Sequence, residues 1–374
     1  MANINFIVKN DIELKGNLIF EGATDNEFET TLAITDPTSD RTITFPDNSG
    51  TVSLTSDSPL TQTSFRNILI NGDFKIWQRG TSGTQSGGSV FVDMWRQYTD
   101  TGSGTQSRDT TVGVAGVTSQ SYKFTVGGSA TNFSLWQIIE SANCAHLIGQ
   151  TVTLSFYAQA SAARSINATM ALSTATDAVW TGTWTTFSTT AISVGTSMTR
   201  YTVTATVPAN MRTMNVGFSN GGTNFPAGFT INITGVQLER GTIATPFEQR
   251  PIGTEISLCQ RYFQKSFPIT TTPASPGGTG AGSANNLVVF NQTLGNAYSS
   301  LIRFQTTMRR SPDITLYNSE TSNTGTWSIY NSAGALNSSY AVSADPHHNG
   351  IMVQVPGVPS TTVANGAWTA SAEL

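Results

Sequence analysis

Apolar and polar residues alternate along most of this chain with a period of two. The windows "SYKFTV", "TVTLSFYAQA", "INATMAL", "RYTVTATV", "MNVGFS" and "FTINITGVQL" carry large apolar side chains at alternate positions, and Gly, Asn and Ser clusters separate them. That period marks strands with one buried face, and short strands at roughly ten-residue spacing mark a sandwich or barrel. Residues 65–250 are predicted to form this domain. It opens with "FRNILINGDFKIWQRGTSG", in which Asn71-Gly72-Asp73 reads as a turn.

The flanking regions follow the same rule with different content. In residues 1–60, alternation is clear at Ile12 and Leu14, Leu18 and Phe20, Ile43 and Phe45, and Val52 and Leu54. Large apolar side chains are too few there for an independent core. Strands of this kind need partners, so an intertwined β segment from several copies is predicted, with a homotrimer as the assembly. "DSPLTQTS" (57–64) reads as a polar linker.

Behind the central domain the period changes. "TEISLCQRYFQK" has apolar residues at 256, 259 and 263 and at 258 and 262, which is helical spacing, with Thr254 as N-cap. One short helix is predicted near 254–265. After the Pro/Gly-rich loop 271–286, the runs "LVVFNQTL", "SSLIRFQTTM", "DITLYN", "WSIYNS", "GIMVQV" and "AWTASAEL" predict a small C-terminal β domain, giving 251–374 as its bounds. The fold class is thus all-β.

Composition narrows the function. Charged residues make up only 11% of the chain and the net charge is −4. Residues 1–57 hold ten acids against Lys9, Lys15 and Arg41, which leaves −7 in front and +3 behind. No basic stripe exists, so no nucleic acid partner is expected. The N-terminus lacks an apolar h-region and no run approaches a membrane span, so neither a signal peptide nor membrane insertion is expected. Cys144 and Cys259 sit in apolar surroundings and read as buried free thiols, consistent with assembly in a reducing cytoplasm.

"DRTITFPDNSGTVSL" (40–54) resembles a shaft or attachment motif of bacteriophage tail fibres, notably cyanophage-like ones. "NILINGDFKIWQRGTS", "FVDMWRQY" and "IGQTVTLSFYAQA" look like the opening and middle of a phage-borne jelly roll similar to carbohydrate-binding modules. "ITGVQLERGTIATPFEQRPIGTEISLCQRYFQ" looks like its close, and "FQTTMRRSP" looks like an element of fibre tips. The resemblance implies a virion tail protein, assembled in the bacterial host's cytoplasm. It would dock on a baseplate or tail protein through 1–60 and bind a host surface polysaccharide further along. Where the family has Ala-Asp-Arg-Trp, this chain has Val92-Asp93-Met94-Trp95.

Candidate chemistry is sparse. Sugar recognition needs flat aromatic faces beside hydrogen-bonding groups. Trp136, Trp180 and Trp184 are the candidates in the central domain, as ligand face or as core, and Trp327 and Tyr330 are candidates at an exposed tip. Trp180 and Trp184 would share a side if "VWTGTWTTF" is a regular strand. Trp77 and Trp95 read as core. No cofactor is required. A structural calcium would be held by Asp73 and Asp93, and "DPHHNG" offers His347 and His348 as metal ligands or as a plain turn. Cys144 and His146, two positions apart, read as core. No carboxylate pair stands out for glycoside hydrolysis, so no enzyme is expected.

Two readings stay open: a trimeric receptor-binding fibre, or a structural baseplate or neck appendage whose jelly roll binds other virion proteins. Charge is concentrated at Glu239, Arg240, Glu248, Arg250, Glu255 and Arg261. These residues read as polar contacts at a junction between domains.

Overall fold

The computed structural model describes residues 18–21, 27, 29–32, 38–39, 65–129, 131–269, 271–273, 297–318, 324–330, 336–341, 343–356 and 363–374. Among the described residues strands predominate and the helices are few and short, so the all-β expectation holds. The chain divides into two compact units, Met1–Ser53 and Leu54–Leu374.

In the first unit, β1 (Leu18–Glu21) and β2 (Glu29–Leu32) pair antiparallel, with Leu18 opposite Leu32. Ile19 is 61%, Phe20 50% and Leu32 53% exposed. Consecutive strand residues point to opposite faces, so this hairpin shows apolar side chains on both. The other strands expected before residue 60 lie outside the described residues.

The second unit begins with a segment that owes its shape to side chains. Asn71, at φ 55°, donates from Nδ2 to Ile76 O (2.9 Å) and Asp93 O (3.0 Å) and accepts from Ile76 N (3.0 Å). Gln137 grips Ile70 N and O at 2.8 Å each. At Gly72, a Cβ would fall 2.1 Å from Val236 O, so no side chain fits. Trp77 and Trp95 are buried here, as expected.

Ten strands follow: β3 (Ser82–Ser89), β4 (Arg96–Asp109), β5 (Ser121–Val126), β6 (Ser134–Ile139), β7 (Thr151–Ala160), β8 (Arg164–Ser173), β9 (Thr185–Val194), β10 (Thr199–Thr206), β11 (Thr213–Ser219) and β12 (Thr230–Arg240). They run in the order β10-β7-β12-β5-β4-β6-β11-β8-β9, with β3 paired along β4. The long β4 pairs β6 through Arg96–Tyr98 and β5 through Gly104–Asp109, so it belongs to two sheets. The sheets stack as a jelly-roll sandwich. Their inner faces meet in a core where Phe156 of β7 lies 4.6 Å from Phe218 of β11, ring to ring. A short helix, α1 (Ser141–Cys144), and a 3-10 turn (Ala145–Leu147) cap β6. Cys144 and Cys259 are buried and free, as expected.

The predicted helix is present but shifted. It runs as α2 (Ile252–Gln260) from Pro251 as N-cap, so Thr254 lies inside it. Residues 263–265 instead form β13 (Phe263–Lys265), because their backbone pairs with the last strand, Phe263 opposite Ser371. Helical spacing of apolar residues cannot report that pairing partner, which lies about a hundred residues away.

The remaining strands are β14 (Ala297–Arg303), β15 (Asp313–Asn318), β16 (Thr326–Tyr330), β17 (Leu336–Ala341), β18 (Ser343–His347), β19 (Gly350–Pro356) and β20 (Val363–Ser371). β20 is the hub of one sheet, beside β13, β15 and β16, while β14-β19-β18 form another. Between them Met308, Leu316, Trp327, Ile351, Val353 and Trp368 build a second, smaller core. The expected run 287–294 lies outside the described residues.

The charged cluster at 239–261 does two jobs. Glu248 Oε2 accepts from Asn67 N (2.8 Å), Arg250 donates to Leu69 O (3.2 Å) and pairs with Glu255 (3.2 Å), and Glu255 accepts from Asn71 N. These contacts tie the sandwich's closing segment to its opening one. Arg261 instead reaches Glu140 with two hydrogen bonds (3.1 and 2.8 Å), beyond the end of β6. Arg240 is exposed.

Candidate functional site

Alternation along the sheet β4-β6-β11-β8-β9 turns Leu135, Val216, Phe218, Ala168 and Met170 inward and their neighbours outward. Register then aligns the outward residues in rows. One row reads Arg96, Trp136, Gly217, Thr169, Thr189, and the next reads Tyr98, Ser134, Ser219, Asn167, Ala191. Large flat side chains stand at the β4-β6 end of these rows, and small or hydroxyl-bearing ones fill the rest. The result is a shallow trough with an aromatic wall.

The wall is ordered by contact. Tyr98 and Trp136 stack with ring centroids 6.1 Å apart at 27°. A Cβ at Gly217 would lie 2.5 Å from the Trp136 Cβ, so only glycine fits beside it. The Arg96 guanidinium lies over the Trp180 ring at 4.8 Å. Gly88 of β3 lies beside Arg96 and Tyr98, where a Cβ would sit at ordinary contact distance, 3.4 Å, from Arg96 Nη1 and from Tyr98 Cδ2. The Trp136 indole N–H is shut from solvent and has no hydrogen-bond acceptor among the described residues.

One end of the face is closed by the last residues of the chain. Arg96, Trp136 and Ile138 share a crevice with Tyr262, Glu373 and Leu374. Glu373 Oε1 pairs with Arg79 Nη2 at 2.5 Å, and Arg79 Nη1 reaches Asp93 Oδ1 at 3.3 Å. Asp93 also accepts from Gln78 N (2.7 Å) and Gln78 Nε2 (2.9 Å). Burial pushes the Asp93 carboxyl up to about 6, outweighing Arg79 and the Gln78 bonds that pull it down. Burial also lowers the pKa of Arg96, offset in part by Glu373.

The predicted site residues scatter. Trp136 lies on the outer face, at its aromatic wall. Trp180 is 38% exposed, but it stands with Trp184 in the loop between β8 and β9 rather than in a strand. Trp184 packs on the core and donates to Val179 O (3.3 Å), so it shapes that loop. Trp327 is corrected from an exposed tip to a fully buried ring, because Gly366 across the sheet leaves room for it and the second core needs its bulk. Tyr330 ends β16, and its side chain lies outside the described residues.

The carboxylates proposed for calcium are already engaged. Lys75 Nζ holds Asp73 Oδ2 at 2.6 Å, and Asp93 is locked to Gln78 and Arg79. His347 and His348 are exposed at the hairpin between β18 and β19. Among the described residues no three His, Cys, Asp or Glu side chains gather as a metal site. Sequence reasoning missed Arg96, Tyr98, Gly88 and Gly217. The alternation Trp95-in, Arg96-out, Gln97-in, Tyr98-out was present in "MWRQY", but only register places it beside Trp136.

No family model matches the chain, and no curated protein does. Solved structures with a similar fold include the enzymatically active domain of tailspike protein 4 of bacteriophage CBA120 (TM-score 0.32, 15% identity, 47% of this chain and 21% of that one). Others are the N-terminal cellulose-binding domain of Cellulomonas fimi β-1,4-glucanase C (0.27, 20%, 40% and 90%) and the C-terminal family 22 carbohydrate binding module of Clostridium thermocellum Xyn10B (0.28, 10%, 47% and 97%). The chain spans about a fifth of the tailspike domain. The likeness is one of fold.

Proposed function

We propose that this protein binds polysaccharide on the outer face of the β4-β6-β11-β8-β9 sheet, as part of a phage tail fibre that attaches to a host surface. One observation carries the reading: the stacked pair Tyr98–Trp136 stands at the edge of a trough of Gly, Thr, Ser and Asn side chains. Rings of that kind bury the apolar face of a pyranose, while hydroxyl and amide side chains reach its oxygens. The two rows carry no Asp or Glu, which supports binding rather than cleavage.

The finer parts of the reading have their own support. Attachment to the virion rests on the resemblance of residues 40–54 to tail-fibre motifs, with docking on a tail or baseplate protein through 1–60. Trimer formation is supported by the apolar side chains exposed on both faces of the β1-β2 hairpin. Three copies turn weak single sites into firm attachment through effective concentration.

A saccharide array probed with the full chain and with Trp136→Ala tests the proposal. Wild type is expected to bind a subset of saccharides, and the variant to lose at least tenfold in affinity, of the size seen when an interface tryptophan is truncated. No binding to any saccharide by the folded wild type would sink the reading and favour a structural appendage.

A further inference from the structure

Of the arginines around the closed end of the trough, one is left without a carboxylate. Arg79 has Glu373 at 2.5 Å and Asp93 at 3.3 Å. Arg261 and Arg309 share Glu140, at 2.8 and 3.7 Å. Four guanidinium groups therefore face three side-chain carboxylates, and the fourth, Arg96, has none within ion-pair distance among the described residues. It also donates no hydrogen bond to any of them. Around it lie the face of Trp180, Gly88 of β3, and the crevice it shares with Glu373, which is paired to Arg79.

An arginine that is half-buried and stripped of part of its hydration gains from an anion more than one in open water does. Its planar fork of five donors matches a carboxylate or phosphate through two parallel hydrogen bonds. The position fixes what that anion belongs to. Arg96 and Trp136 are cross-strand partners, so their Cβ atoms lie about 5 Å apart. A pyranose stacked on Trp136 carries its exocyclic substituent across that distance.

We propose that the saccharide held on this face is acidic, and that Arg96 selects it by pairing with an oxyanion on the sugar, a uronate carboxylate or an ester phosphate or sulfate. This rests on the polysaccharide reading above and gives it a ligand class. Arg96 is then the specificity-determining group of the trough, Trp136 and Tyr98 its platform, and Trp180 the surface that holds the guanidinium flat. Screening by salt weakens such a pair, whereas stacking is little affected.

The test is an array in which each charged oligosaccharide is matched with a neutral counterpart, such as trigalacturonate with its methyl ester, alongside phosphorylated and sulfated members. The full-length wild type is expected to prefer charged members at least tenfold, and added salt is expected to shrink the margin. Arg96→Gln should bind both partners of a pair equally, while Arg96→Lys, which keeps the charge, should retain part of the preference. Whether carboxylated or phosphorylated members bind best names the oxyanion. Thermal melting of each variant establishes that it is folded. Equal wild-type binding to charged and neutral partners would overturn the inference and leave the polysaccharide reading standing, as would a preference unchanged in Arg96→Gln. Absence of binding to every member would overturn both.

Discussion

The two sheets of the sandwich have outer faces built by the same alternation and used in opposite ways. On the β10-β7-β12-β5 side, Ser155, Asn232, Thr234, Gln237 and Glu239 point outward and are nevertheless buried. The segment 241–250 covers part of that face. Glu239 accepts from Thr245 N (2.9 Å), Thr245 Oγ1 (2.6 Å) and Gln237 Nε2 (2.9 Å), while Glu248 N donates to Gln237 Oε1 (2.7 Å). Arg200 adds hydrogen bonds to Ser155 Oγ (3.2 Å) and Thr245 O. On the β4-β6-β11-β8-β9 side, Arg96 has no carboxylate within ion-pair distance among the described residues, and its guanidinium lies over the Trp180 ring. A face roofed by its own chain specifies the fold, and a face that leaves an arginine without a carboxylate beside stacked rings is open to something outside it.

The largest way to break this contrast is Glu239→Ala. It leaves the amide of Thr245 in a buried place without its acceptor, and hydrogen bonds to a charged group are the costly ones to lose. The expected cost is about 3 kcal/mol in urea unfolding, with saccharide binding by the folded protein unchanged. A loss below about 1 kcal/mol would show that the segment 241–250 is held by something other than this carboxylate.

Next comes a pH effect at the closed end of the open face. Asp93 titrates near 6 in the folded protein and near 4 when unfolded. Between those values the folded state binds more protons, so this group's stabilising contribution is complete below about 4 and is lost as pH rises through about 6. The swing is on the order of 3 kcal/mol. Urea midpoints measured from pH 4 to 7 should fall more steeply for wild type than for Asp93→Asn, which cannot titrate. Parallel profiles would mean that Arg79 and Gln78 keep Asp93 ionised throughout.

How far the sequence carried the fold and the site differs for a physical reason. Alternation in windows such as "TVTLSFYAQA" depends only on neighbours one or two residues away, so strands and their inward residues were legible, as was the turn at Asn71-Gly72. Pairing partners were not. Phe263 belongs to β13 because Ser371 lies opposite, and Arg96 joins Trp136 because β4 pairs with β6. Trp327 reads as an exposed aromatic until Gly366 is placed across from it. Covering is equally invisible: nothing in "GVQLERG" tells that Glu239 is roofed by Thr245 while Arg96 is left without a carboxylate.

The smallest expected effect on stability gives the sharpest contrast. Trp180 is partly exposed, sits in a loop, and has the guanidinium of Arg96 as its ring partner. A cation–π contact at an exposed site contributes about 0.5–1 kcal/mol, so Trp180→Ala should shift unfolding by no more than that. Binding should change more, because without the indole beneath it Arg96 no longer holds one orientation and pays entropy to adopt it when an anion arrives. The expected pattern is the inverse of Glu239→Ala: stability nearly intact, saccharide affinity reduced severalfold, and the reduction largest for charged members of the array. If Trp180→Ala instead lowers stability as much as Glu239→Ala and leaves binding untouched, the loop is a cover like the segment 241–250. The two faces would then differ only in how much of the chain lies over them.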